Sequence, residues 1–120
     1  MIRRLCLLLA AAWSIIPAQA AMPGLDARLL VEDGPNAGKL FVAYLTTQQP
    51  FEGRYELSGE KKGVAGSARV KQAGAVKAVP HQALRLSHLA FGAIAADDHY
   101  TVRLKIFRGS ELVSEAQIIK

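Results

Sequence analysis

The sequence predicts an all-β fold, a seven-stranded immunoglobulin-like β-sandwich, and three observations carry that reading. After residue 20 no apolar pattern of helical period runs for a useful length; short segments alternate apolar and polar instead. Turn residues separate these segments at regular spacing over about a hundred residues. Tyr100 opens the sixth segment, two residues after Asp98 and two before Val102. In immunoglobulin-type sandwiches a tyrosine corner sits two residues ahead of the second core cysteine. Here valine fills that cysteine's position. An up-and-down barrel is the alternative fold for the same strand pattern.

The first 20 residues read as a secretory signal peptide. Arg3 and Arg4 form a positive n-region, "LCLLLAAAWSII" an apolar stretch, and "AQA" at 18–20 a small-x-small cleavage signal. The apolar run is too short for a stable membrane span. Removal leaves 21–120 as a single domain, large enough for one modest core. The only cysteine, Cys6, leaves with the signal, so the domain has no disulfide in a compartment that permits one. The chain carries a net charge of +5, and without Arg3 and Arg4 the remainder carries +3. That excess is mild. It suits a surface attractive to acidic partners and gives little support for nucleic-acid binding.

The elements follow in order. "LDARLLVE" (25–32) sets Leu25, Ala27, Leu29 and Val31 on one face, and "DGPNAG" is turn chemistry. "KLFVAYLTTQ" (39–48) is apolar on both faces, as a central strand should be. "FEGRYELSGE" (51–60) alternates, with Tyr55 and Leu57 inward and Arg54, Glu56 and Ser58 outward; "EKKG" reads as a charged turn. "GSARVKQAG" (66–74) is a short strand with Ala68 and Val70 inward. Its small residues leave little to pack and place it near an edge. "AVKAVPHQ" reads as loop, since Pro80 cannot donate to a central ladder. "ALRLSHLAF" (83–91) changes phase, so a bulge or a strand end is expected near Ser87. A strand at 99–107, a turn at "RGSE" and a last strand at 111–119 complete seven.

Chemistry is sparse. His81, His88 and His99 match no local zinc spacing. Asp97, Asp98 and His99 read as a polar corner with Asp98 caught in a turn. No serine sits in a nucleophile elbow, and there is no P-loop or dinucleotide fingerprint. The expectation is a protein that is not an enzyme and uses no metal or cofactor. Surface charge remains. Arg54 on the third strand and Arg103 and Lys105 on the sixth would share one outer face; Arg69 and Lys71 project from the fourth, near Lys61 and Lys62. Charged outward positions also protect sheets from edge-to-edge aggregation, so charge alone does not make a site.

"GRYELSGEKKGVAGSARVKQAG" (53–74), "LRLSHLAF" (84–91) and "ADDHYTVRLKIFRGSELV" (96–113) resemble the curli-assembly chaperone family, the CsgC/CsgH type. The resemblance covers nearly all of 25–118. It implies a small periplasmic β-sandwich, a monomer, that keeps curli-type amyloid subunits from polymerising too early through transient contacts. On the charged outer face Arg54, Arg103 and Lys105 are expected to lead such a contact, with Arg69 and Lys71 secondary. The enterobacterial branch carries Cys-x-Cys at the start of the third strand; here Phe51, Glu52 and Gly53 stand there, which excludes a redox role resting on those cysteines and points to the cysteine-poor, CsgH-like branch. Other readings remain: capping of a fibre end by the edge strand Gly66–Gly74, an adhesive or fibre-associated module, and an inhibitor presenting the "AVKAVPHQ" loop.

Overall fold

The computed structural model of the chain describes residues 23–64 and 66–120. The signal peptide expected at 1–20 lies outside the described residues. Seven strands form two antiparallel sheets: β1 (Leu25–Asp33), β2 (Lys39–Thr47), β3 (Phe51–Gly63), β4 (Gly66–Ala78), β5 (Leu84–Phe91), β6 (His99–Arg108) and β7 (Glu111–Ile119). One sheet has the order β1-β2-β5 and the other β4-β3-β6-β7. In the constant-type immunoglobulin arrangement the fourth strand joins the first, second and fifth. Here it pairs with the third.

The core lies between the sheets, because alternate residues of each strand point inward. Phe41, Ala43 and Leu45 of β2 face Leu57 of β3 and Val102, Leu104 and Ile106 of β6, and all are fully buried. β2 is the centre of its sheet. Its outward phase is apolar too, with Val42 only 1% exposed, which is why this segment showed no alternation.

Tyr100 is buried, with its ring 5.3 Å from Phe41 edge-on and 6.5 Å from Phe91. Among the described residues its hydroxyl makes no hydrogen bond, so it acts as a core aromatic and not as a tyrosine corner. Val102 beside it is buried, as expected of the residue in the cysteine's place.

Two of the expected boundaries are corrected. "EKKG" is not a turn: β3 runs through it to Gly63, and the hairpin reverses one step later, between Gly63 and Gly66. β4 continues past residue 74 to Ala78, so half of the expected loop "AVKAVPHQ" is strand, with Val76 and Ala78 inward in the core. Ala68, expected inward, is exposed, because β4 outruns the core at its hairpin end. Val31, on the inward phase of β1, is 42% exposed.

The expected irregularity of β5 is present. Ala43 pairs with Ser87 and Tyr44 with Arg85, so Leu86 is the extra residue of a bulge. A second bulge places Val113 of β7 between the partners of Ile106 and Phe107. The β6–β7 hairpin turns on Gly109 and Ser110; Gly109 has φ +62, the left-handed value that a tight two-residue hairpin needs.

Candidate functional site: the outer face of the four-stranded sheet

Register fixes which side chains share this face. Along β3 the outward phase is Glu52, Arg54, Glu56, Ser58, Glu60 and Lys62. Arg54 pairs with Phe107, Glu56 with Lys105, Ser58 with Arg103 and Glu60 with Thr101 of β6. On the other side Ser58 pairs with Lys71 and Glu60 with Arg69 of β4, and Glu52 with Lys77. Gln117 and Glu115 of β7 complete the rows at Arg103 and Lys105. All five residues expected to carry the contact (Arg54, Arg69, Lys71, Arg103, Lys105) therefore lie on one face.

The face is a mixed lattice and not a pure basic stripe. Seven cations (Arg54, Lys62, Arg69, Lys71, Lys77, Arg103, Lys105) are interleaved with four carboxylates (Glu52, Glu56, Glu60, Glu115). Elsewhere among the described residues the charges balance, six basic against six acidic. The whole positive excess of the domain thus sits on this single face.

The cations differ in how far they are committed. Arg54 Nη1 is 2.6 Å from a Glu56 carboxylate oxygen, and its guanidinium lies over the Phe107 ring, 4.3 Å from the centroid. Arg69 grips Glu60 at 2.5 Å, and Lys62 stands 4.0 Å from the same carboxylate. Arg103 donates through Nε to Gln117 Oε1 at 3.1 Å, a neutral partner that leaves its charge uncompensated. Lys71, Lys77 and Lys105 make no hydrogen bond or ion pair among the described residues. The carboxylates register this field. The Arg54 hydrogen bond, and then Lys71 and Lys105 nearby, hold the Glu56 carboxyl below its ordinary value of 4.5 despite the opposing effect of desolvation. The Arg69 hydrogen bond, with Lys62, does the same to Glu60.

Between Arg69 and Arg103 the small side chains of Ser58 and Thr101 leave a shallow open hollow of about 340 Å³. Two guanidinium groups flank it together with the Glu60 carboxylate that Arg69 holds, and its floor is polar. In general, contacts to an open charged surface form quickly and are screened by salt. The outer face of the other sheet contrasts with it: Leu30, Tyr44 and Ala83 line an apolar hollow, and Asp26 and Arg28 at its rim pair with each other at 2.6 Å.

The polar corner at Asp98 has a structural account. Its Oδ2 accepts from the Ala95 backbone N–H at 2.9 Å, and its own N–H donates to the Ala95 carbonyl at 3.0 Å, which closes the loop before β6. Among the described residues no three His, Cys, Asp or Glu side chains gather to hold a metal. Lys61, expected beside the basic residues, points to the other face and donates to the Ala93 carbonyl at 3.1 Å.

Sequence reading named the cations and missed most of their neutralising partners. Glu56 was legible as outward, but the places of Glu60 and Glu115 beside Arg69 and Lys105 depend on register, which a single strand's alternation does not fix.

Comparison with known proteins places this chain in a family. The family model "CsgH protein" matches residues 31–115. The chain belongs to the CsgH family. The solution structure of R. palustris CsgH superposes with a TM-score of 0.61 at 22% identity, covering 79% of this chain and 91% of that one. The E. coli curli protein CsgC, in a selenocysteine form, superposes with a TM-score of 0.67 at 17% identity, covering 78% and 96%. At these identities both structures establish a shared fold. No curated protein sequence matches the chain at a significant level. At the start of β3, Phe51 is buried in the core and Glu52 is exposed.

Proposed function

We propose that this CsgH-family protein is a non-catalytic periplasmic chaperone that holds back premature polymerisation of a curli-type amyloid subunit. It acts as a monomer on an immunoglobulin-like sandwich, in a variant whose fourth strand has moved to the sheet of the third. Residues 1–20 direct its export and are removed. The observation that carries the reading is the charge distribution: the entire positive excess stands on one flat sheet face, while the rest of the surface is balanced. A flat cationic sheet raises the encounter rate with an acidic, unfolded chain without trapping it. Membership of the CsgH family, and a fold shared with an E. coli curli protein, support the choice of client.

Arg103 and Lys105 lead the contact, with Lys71 across the hollow, because none of the three makes an ion pair among the described residues; Arg54 and Arg69 contribute less because each holds a carboxylate. The test is fibre growth of a purified curli-type subunit followed by thioflavin fluorescence, with the protein well below equimolar. The expected result is a lengthened lag. Arg103→Glu with Lys105→Glu should shorten that lag towards the value without chaperone, while the thermal unfolding curve stays in place. No delay even at excess would remove the chaperone reading. The runner-up, an adhesive or fibre-associated module, would appear in the insoluble fibre fraction, whereas a chaperone stays in the soluble periplasm.

A further inference from the structure

Backbone hydrogen bonding can be followed across the four-stranded sheet, because in an antiparallel sheet alternate residues of a strand bond to opposite neighbours. Tyr100 of β6 and Lys120, just past β7, exchange both backbone bonds, at 3.1 and 2.9 Å. Even-numbered residues of β6 therefore bond towards β7 and odd-numbered ones towards β3. Their partners on β3 are even-numbered, so the odd-numbered residues of β3 bond to β4, where they meet even-numbered partners. The odd-numbered residues of β4, from Ser67 to Lys77, are left with their N–H and C=O groups directed away from the sheet.

The edges of β5 and β7 are obstructed, and the edge of β1 is tied at its start. β5 carries a bulge at Leu86, and its His88 carbonyl already accepts from Gln72 Nε2 at 2.9 Å. β7 carries a bulge at Val113, and its Ser114 hydroxyl accepts from the Ala27 N–H of β1 at 3.2 Å, which ties those two edges together. β4 keeps an unbroken register with β3 over thirteen pairs and contains no proline or bulge. It lacks the usual obstructions to strand addition except charge. That charge has one sign: Arg69, Lys71 and Lys77 stand on the same residues whose backbone groups are free.

We propose that the β4 edge, residues 67–77, is a strand-addition site for an extended acidic polypeptide segment, with carboxylates on alternate residues that meet Arg69, Lys71 and Lys77 and small residues between them. The small residues follow from the inner phase, where Val70, Gln72 and Gly74 are only partly exposed and Gln72 is occupied with β5. A second copy of this chain fits poorly. Antiparallel pairing of two β4 edges would gather six cations on one face. The proposal deepens the chaperone reading and rests on its premise of an acidic client, but adds a backbone site to the charged face.

The test uses a ten-residue synthetic peptide of alternating Glu and Ser, and amide hydrogen exchange of the protein read residue by residue. The expected result is slowed exchange at the odd-numbered amides of β4 when peptide is added, with a Lys-Ser peptide giving none. Ala73→Pro removes only a solvent-facing donor, so the fold should tolerate it, and peptide affinity should fall roughly tenfold or more. The same peptide with alternate backbone nitrogens methylated should lose affinity for the unaltered protein, a readout that holds if the proline variant does not fold. Peptide binding with unchanged exchange along β4 would overturn the edge site while leaving the charged face intact. Protection of β4 that grows with protein concentration and needs no peptide would overturn it in favour of self-association. Loss of fibre inhibition in the Arg103→Glu, Lys105→Glu variant with β4 protection retained would separate the two surfaces and uphold the edge.

Discussion

Arg54 and Glu56, two residues apart on β3 and on the same face, form an ion pair at 2.6 Å. Glu56 lies at the centre of the cationic lattice, cross-strand from Lys105 and within the field of Lys71. Its charge therefore subtracts from the face where the proposed client lands. Replacing it with glutamine should strengthen the site. The expected outcome for Glu56→Gln is a longer lag in subunit fibre growth at the same dose, roughly severalfold at low salt and much less at physiological ionic strength, because exposed charges are screened over about 8 Å there. Lag times at two salt concentrations check this; an unchanged lag at low salt would mean the face does not steer the client.

Glu60 offers a pH test of the same lattice. Its carboxyl is held below 4.5, first by the Arg69 hydrogen bond and then by Lys62. A depressed carboxylate stabilises the fold above its unfolded value and loses that contribution as pH falls through the folded value. Glu60 and Arg69 are both at the surface, so the effect on stability is small and the titration itself is the sensitive observable. Arg69→Ala should move the Glu60 midpoint up towards 4.5 in a carboxyl NMR titration, and Arg54→Ala should do the same for Glu56. A Glu60 midpoint indifferent to Arg69 would show that the pair does not persist in solution.

The strand plan was largely legible because burial imposes a period of two, and the segments 39–48, 99–107 and 111–119 reappear within a residue or two. The β5 bulge was legible as well, since Leu84, Leu86, Leu89 and Phe91 cannot all face one core without a change of phase. What escaped was the reach of the β3–β4 hairpin. "EKKG" and "AVKA" have the composition of turns and loops, yet both are held in strand by thirteen consecutive cross-strand pairs, a non-local effect that intrinsic propensity does not report. The five cations were legible one strand at a time. Their shared face needed β4 to lie beside β3, and their partial neutralisation needed the register of β3, β4, β6 and β7.

Gly63 ends β3 directly under Asp98. A β-carbon on Gly63 would stand 1.8 Å from Asp98 Oδ1, so any side chain there must expel the carboxylate. Expulsion also removes the acceptor for the Ala95 N–H and loosens the loop that leads into β6. Gly63→Ala should destabilise the domain by about 2–3 kcal/mol in urea unfolding, as expected for steric displacement of a buried polar group. Asp98→Ala alone should also destabilise, through the lost loop bond. The double variant should cost less than the sum of the two, because the clash disappears with the carboxylate. Strict additivity would show that the two residues do not meet.

Gln72 closes the seam between the two sheets on the β4–β5 side. Its Nε2 donates to the His88 carbonyl at 2.9 Å and its Oε1 accepts from the Ser87 hydroxyl, so one carboxamide satisfies two groups of a bulged strand. The bulge at Leu86 explains why a side chain is needed there: it disturbs the β2–β5 ladder just before Ser87 and His88. Gln72→Ala should cost about 1–2 kcal/mol, the value of two such bonds at a partly buried site. Exchange of the backbone amides of residues 86–89 should quicken, while those at the centre of β6 keep their protection, since Val102, Leu104 and Ile106 are fully buried. Gln72→Glu separates geometry from charge: the carboxylate still accepts from Ser87 but cannot donate to His88, so it should recover part of the stability and not all. Equal stability of Gln72→Ala and the unaltered protein, with unchanged exchange at 86–89, would show that core packing alone holds the seam.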